Sequence, residues 1–133
     1  MIVRDYEPLT DREAVERIHR EQGMDYKFPD IDQPLFIIKK VAVNENGDVI
    51  GAELLRIQAE AYLMLSPDLD PVQKMNVIGE LSPAVEQEAF KQGLDDICAY
   101  IPEDIDKKFS KRLLSLGWNK IRTGWNCWVR ELN

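Results

Sequence analysis

The second half of the chain alternates in a way that few folds accommodate. An apolar run, Ala61-Tyr62-Leu63-Met64-Leu65, meets Ser66-Pro67, and a long helical stretch follows before a second apolar run, Ile97-Cys98-Ala99-Tyr100-Ile101. The first helix opens at Asp70-Pro71-Val72-Gln73, with Asp70 as cap, Pro71 at the first helical position and Gln73 completing a capping box. Val72, Met75, Ile78, Leu81, Val85 and Ala89 keep one face apolar, and Gly93 marks the stop. Pro83 cannot donate to Gly79 and clashes with its carbonyl, which predicts a kink or split near Leu81. Pro102 opens a second helix, striped by Ile105, Phe109, Leu113 and Leu116 and closed by Gly117.

The first half reads differently. Ile2–Glu7 is a strand ended by Pro8, and Thr10-Asp11-Arg12-Glu13 is a capping box for a helix running to Gln22, with Ala14, Val15 and Ile18 inward. His19 sits at the edge of that stripe. Residues 24–34 are irregular, with two prolines and three aspartates, and serve either as a substrate loop or as a plain connection. Phe36–Val43 and Val49–Ile57 are strands joined through Asn46-Gly47, whose positive-φ preference suits a hairpin. Ala59–Leu65 follows as a further strand. Trp118–Arg122, a Thr123-Gly124 turn and Trp125–Glu131 complete a final hairpin. The order is β-α-β-β-β-α-β-α-β-β, a single α/β (α+β) domain over residues 1–133 with helices on the faces of a mixed sheet.

Composition narrows the function classes. With 44% apolar and 31% charged residues, the chain has the make-up of a soluble globular domain. Its net charge of −7 is spread along its length: residues 1–67 carry 8 basic and 13 acidic side chains, residues 68–133 carry 9 and 11. No basic face is left for a phosphate backbone, so nucleic acid is not an expected partner, and a cationic amine suits the balance better. No apolar run is long enough to span a bilayer, and Met1-Ile2-Val3-Arg4-Asp5 has no signal-peptide core, so a cytoplasmic address is expected. Cys98 and Cys127 lie 29 residues apart, with His19 the only histidine; no metal site is expected, and both thiols read as small core residues.

Several local matches resemble the GNAT (GCN5-related N-acetyltransferase-like) superfamily. Ile2-Val3-Arg4, with Asp11 ahead of an amphipathic helix, resembles its first strand and helix. Leu63-x-Leu65-x-Pro67 resembles its Leu-x-Val-x-Pro, Ala89-x-x-x-Gly93-Leu94 its central helix end, and Leu116-Gly117-Trp118 its late Leu-Gly-Phe. The resemblance implies a GNAT-like mixed central sheet of about seven strands flanked by helices. It implies transfer of an acetyl or other acyl group from acyl-CoA to a small-molecule or protein amine. The family's cofactor loop, Gln/Arg-x-x-Gly-x-Gly/Ala, falls here on Gln73-Lys74-Met75-Asn76-Val77-Ile78, so Asn76 and Ile78 replace its glycines.

That resemblance also assigns roles. Pantetheine would pair with the main chain of Leu63, Met64 and Leu65, while Gln73, Lys74 and Asn76 occupy the pyrophosphate loop. Asp68 and Asp70 put carboxylates where that anion would sit. Leu113 stands where the family commonly has its tyrosine acid, leaving Tyr100 and Tyr62 as substitutes, and Glu60 and Glu53 are candidate general bases. Lys107, Lys108, Lys111 and Arg112 fit either phosphate binding or a helix-dipole pattern after Glu103, Asp104 and Asp106. A homodimer or protein contact is expected through the tryptophan-containing C-terminal hairpin, where Trp125 and Trp128 would face opposite sides. The other reading is a binding or structural module that has lost coenzyme A.

Overall fold

A computed structural model describes residues 1–132. The chain forms β1 (Ile2–Asp5), α1 (Pro8–Gln22), β2 (Phe36–Val43), β3 (Val49–Arg56), β4 (Ala59–Glu60), α2 (Pro71–Lys91), β5 (Ile97–Cys98) and α3 (Glu103–Ser115). It divides into two compact units, Met1–Cys98 and a second beginning at Ala99.

This architecture corrects the expected sheet. In place of a GNAT-like central sheet of about seven strands there is an antiparallel sheet, β1-β2-β3, and a separate parallel pair, β4-β5. The protein is a small α+β fold with three helices. Two departures account for the difference. The strands expected over Ala59–Leu65 and Ile97–Ile101 each keep only two paired residues. The C-terminal hairpin does not form: residues 118–131 carry no strand. Arg122 (φ 51) and Gly124 (φ 82) place a bend there, with the Trp125 amide donating to the Arg122 carbonyl at 3.0 Å. A lone two-stranded hairpin is marginal in water without a third strand or a helix to pack on.

The core lies between α1 and the inner face of the three-stranded sheet. Tyr6, Val15, Ile31, Phe36, Val41 and Val49 are buried together, with Ala14, Ile18, Phe28, Val43 and Leu54 packed against them. The β2–β3 pairing sets Ile38 opposite Leu55 and Lys40 opposite Glu53 on the outer face. The joining turn is longer than a two-residue hairpin. Gly47 alone has positive φ (86), its amide donates to the Asn44 carbonyl, and Asn44 Oδ1 accepts from the Asn46 and Asp48 amides. An asparagine that satisfies two turn amides fixes the loop through its side chain.

Two of the helices depart in part from the pattern read from their sequences. α1 begins at Pro8 with Glu7 in the cap position and no side-chain cap, so Thr10 is not the N-cap. Proline pre-sets the first helical φ and outcompetes a cap two residues later. Asp11, four residues in, reaches back to take the Glu7 amide at 2.8 Å. α2 has the capping box read from its sequence, but it does not split at Pro83. The missing donor falls on an exposed turn amid good helix formers, Leu81, Ala84, Glu86 and Gln87, and the helix continues through it.

Candidate functional site

Most of the sequence-derived residues lie on β4, on the stretch after it and at the start of α2. Ala59 pairs with Ile97 and Glu60 with Cys98 in parallel register, and the Ala61 amide donates to the Cys98 carbonyl at 2.7 Å. The ladder stops there. Tyr62, Leu63 and Met64 are exposed and Leu65 is half-buried. Among the described residues, the amides of Leu63, Met64 and Leu65 make no backbone hydrogen bond. Main-chain groups that leave a sheet without partners are available to a ligand that carries its own amides.

Two side chains beyond this stretch set where β5 begins. Arg56, at the end of β3, bonds Asp95 and reaches Asp96 at 3.4 Å, and Gln58 Nε2 donates to Cys98 Sγ at 2.8 Å. Burial opposes the Arg56 charge, but the hydrogen bond to Asp95 and the charges of both aspartates outweigh it and raise its pKa. Sequence reasoning passed over this clamp; its signal was the Asp95-Asp96 pair directly ahead of an apolar run.

Each catalytic candidate has its own setting. Glu60 stands beside Tyr62, and hydrogen bonding to the Glu60 carboxylate, then its charge, holds the Tyr62 hydroxyl above its ordinary pKa. Glu53 lies on the outer face of β3 opposite Lys40, whose ammonium bonds Asp5. Tyr100 belongs to the second unit, where its hydroxyl meets Cys127 Sγ at 3.6 Å. Cys98 is half-buried and Cys127 exposed, so the core role expected for Cys127 is not met.

The start of α2 is occupied by its own residues. Asp70 Oδ1 accepts from the Gln73 amide at 2.8 Å, and Gln73 Oε1 accepts from the Asp70 amide at 3.0 Å. Lys74 donates its amide to the Asp70 carbonyl at 2.9 Å, and Pro71 has none to give. Of the first four helical amides only that of Val72 is uncommitted, too few donors for a pyrophosphate. Lys74 is half-buried and Asn76 exposed.

In the second unit, α3 follows the helix-dipole pattern. Glu103, Asp104 and Asp106 occupy the first turn, Lys107 pairs with Glu103 at 3.5 Å, and Lys120 pairs with Asp106 at 2.7 Å. Trp118 is half-buried, Arg122 lies over the Trp125 ring at 5.9 Å, and Trp128 is 91% exposed. Elsewhere in the first unit, an open cleft of about 360 Å³ lies between α1 and the β2–β3 turn, lined by Arg4, Asp11, Glu13, Arg17 and Asp48. None of the sequence-derived site residues borders it.

Among the described residues no group of three or more His, Cys, Asp or Glu side chains is placed to hold a metal ion. No helix among them is long and apolar enough to cross a membrane. In comparisons with known proteins, no family model, no curated protein and no solved structure matches this chain.

Proposed function

We propose that the protein transfers an acetyl or similar acyl group from coenzyme A to an amine. In this reading the main chain of Leu63, Met64 and Leu65 holds the pantetheine arm. The observation that carries it is the end of the β4–β5 ladder at Ala61, beyond which the amides of Leu63, Met64 and Leu65 have no backbone partner among the described residues. Recognition through main chain tolerates any side chain, so it survives the loss of the loop glycines. The acyl-CoA chemistry itself comes from the GNAT resemblance. Glu60 takes the role of general base for the amine's proton, with Tyr62 beside it. The acidic balance favours a cationic acceptor. A reducing, cytoplasmic setting belongs to the same reading, since both cysteines are free thiols. Titration calorimetry with acetyl-CoA, with amide shifts of residues 62–65 followed by NMR, tests it. Saturable binding that moves those amides is expected, and no heat at millimolar ligand sinks it.

A second reading is favoured by the Asp70–Gln73 box, which seals the anion site of α2. Here the chain is a binding module without coenzyme A, and the exposed Trp128, Val129 and Leu132 supply the apolar contact for a second copy or another protein. Light scattering on the wild type and Trp128→Ala tests self-association. Acyl transfer to any amine rules this reading out.

A further inference from the structure

Residues 24–35, between α1 and β2, are irregular and largely exposed, but a few of them are seated firmly. Ile31 has no exposed surface, and Phe28 packs against the same cluster as Tyr6, Val15 and Phe36. The Asp32 carboxylate bonds Arg12 of α1 and lies 3.9 Å from Lys39 Nζ of β2, which itself donates to the Ile31 carbonyl at 3.0 Å. Gly23, at φ 65, lets the chain turn off the end of α1.

Two groups work against this closure. The Tyr6 hydroxyl and His19 Nε2 are sealed from solvent with no hydrogen-bond partner among the described residues. Both are covered by the segment: Tyr6 is buried in one cluster with Ile31, and the His19 ring meets Tyr26 and Phe28 edge-on at 4.8 and 5.4 Å. Burial first, then the Asp32 charge and a weak side-chain hydrogen bond to it, raise the Tyr6 hydroxyl's pKa, but the approach of Asp32 falls short of full hydrogen-bond geometry. A buried polar atom left unpaired raises the free energy of the closed arrangement and recovers water on opening.

We infer that residues 24–35 form a strap that opens as a local unit, held shut by the Ile31 anchor and the Asp32 clasp and loaded toward opening by the Tyr6 hydroxyl and His19 Nε2. The sign of one substitution is distinctive. Deleting a buried group from a core normally loosens it, whereas Tyr6→Phe keeps the ring, removes an oxygen without a full hydrogen bond and should tighten the strap.

Trypsin cleavage after Lys27 reads the opening, because Phe28 must leave the core before the bond fits a protease. In the wild-type protein the cleavage rate should vary little with low urea, the mark of local rather than global opening. Tyr6→Phe should slow cleavage about tenfold, His19→Phe should slow it in the same sense, and Asp32→Asn should speed it. Cleavage that climbs with urea along the global unfolding curve overturns the inference. So does an unchanged rate in both Tyr6→Phe and His19→Phe.

Discussion

Arg4 and Asp11 meet in a two-pronged pair, with Nη1 to Oδ2 at 2.7 Å and Nη2 to Oδ1 at 2.9 Å, tying the edge strand to the first turn of α1. Asp11 is 1% exposed and also accepts from the Glu7 amide, so its carboxylate is saturated. The Arg4 hydrogen bond leads, against the opposing effect of burial, in lowering its pKa from 3.8 to about 2. A group depressed in the folded state contributes stability above its unfolded pKa and loses it as pH falls through the folded value. Asp11 therefore contributes about 2 kcal/mol near neutrality, lost between roughly pH 4 and pH 2. Urea titrations across that window should show the loss, and Asp11→Asn should remove the pH dependence while costing about 3 kcal/mol at pH 7.

Arg56 clamps the start of β5 from the end of β3. Its two acidic partners are about half exposed, which limits the effect. Arg56→Met should lower the unfolding free energy by about 1 kcal/mol, with a smaller difference from wild type at high salt. Exchange of the Ala61 amide, bonded to Cys98, should quicken in the variant. Equal exchange in both proteins counts against the clamp.

Asp70 separates capping from charge at the start of α2. Asp70→Ala removes a side-chain cap and should cost about 1 kcal/mol. Asp70→Asn keeps an acceptor for the Gln73 amide and should cost less than half of that. Only the charge is then lost, so Asp70→Asn should tighten acetyl-CoA binding several-fold on the acyltransferase reading. Calorimetry on the two variants checks both effects.

Pro83 leaves the Gly79 carbonyl without its helical donor inside a continuous helix. Pro83→Ala supplies that donor and should raise stability by about 1–3 kcal/mol, seen as a higher urea midpoint at unchanged slope. A fall in midpoint would mean that the proline ring makes a packing contact the helix needs.

What could be read from the residues alone depended on how local the cause was. The span of β2, the Asp70–Gln73 box and the Gly93 stop rest on neighbours within a turn, and all three appear. Where two local signals competed, one had to lose: Pro8 took the helix start that Thr10 also offered. The Arg4–Asp11 pair and the Arg56 clamp join residues across separate elements, which periodicity does not encode. The stretches 59–65 and 97–101 had the composition of longer strands, but each found only the other to pair with, and each kept two residues. For the candidate site, the residues of β4 and the stretch after it are neighbours in the chain, while Glu53 lies on the outer face of β3 and Tyr100 belongs to the second unit.

The box at the start of α2 has one more consequence. Asp70 is tethered to the amide it caps, so it competes with any dissolved anion at an effective concentration of roughly millimolar or more. A free phosphate or carboxylate at micromolar level meets a helix end already filled. That helix end is insulated from the fluctuating anions of the cell, and any ligand of this protein must gain its hold elsewhere on the chain.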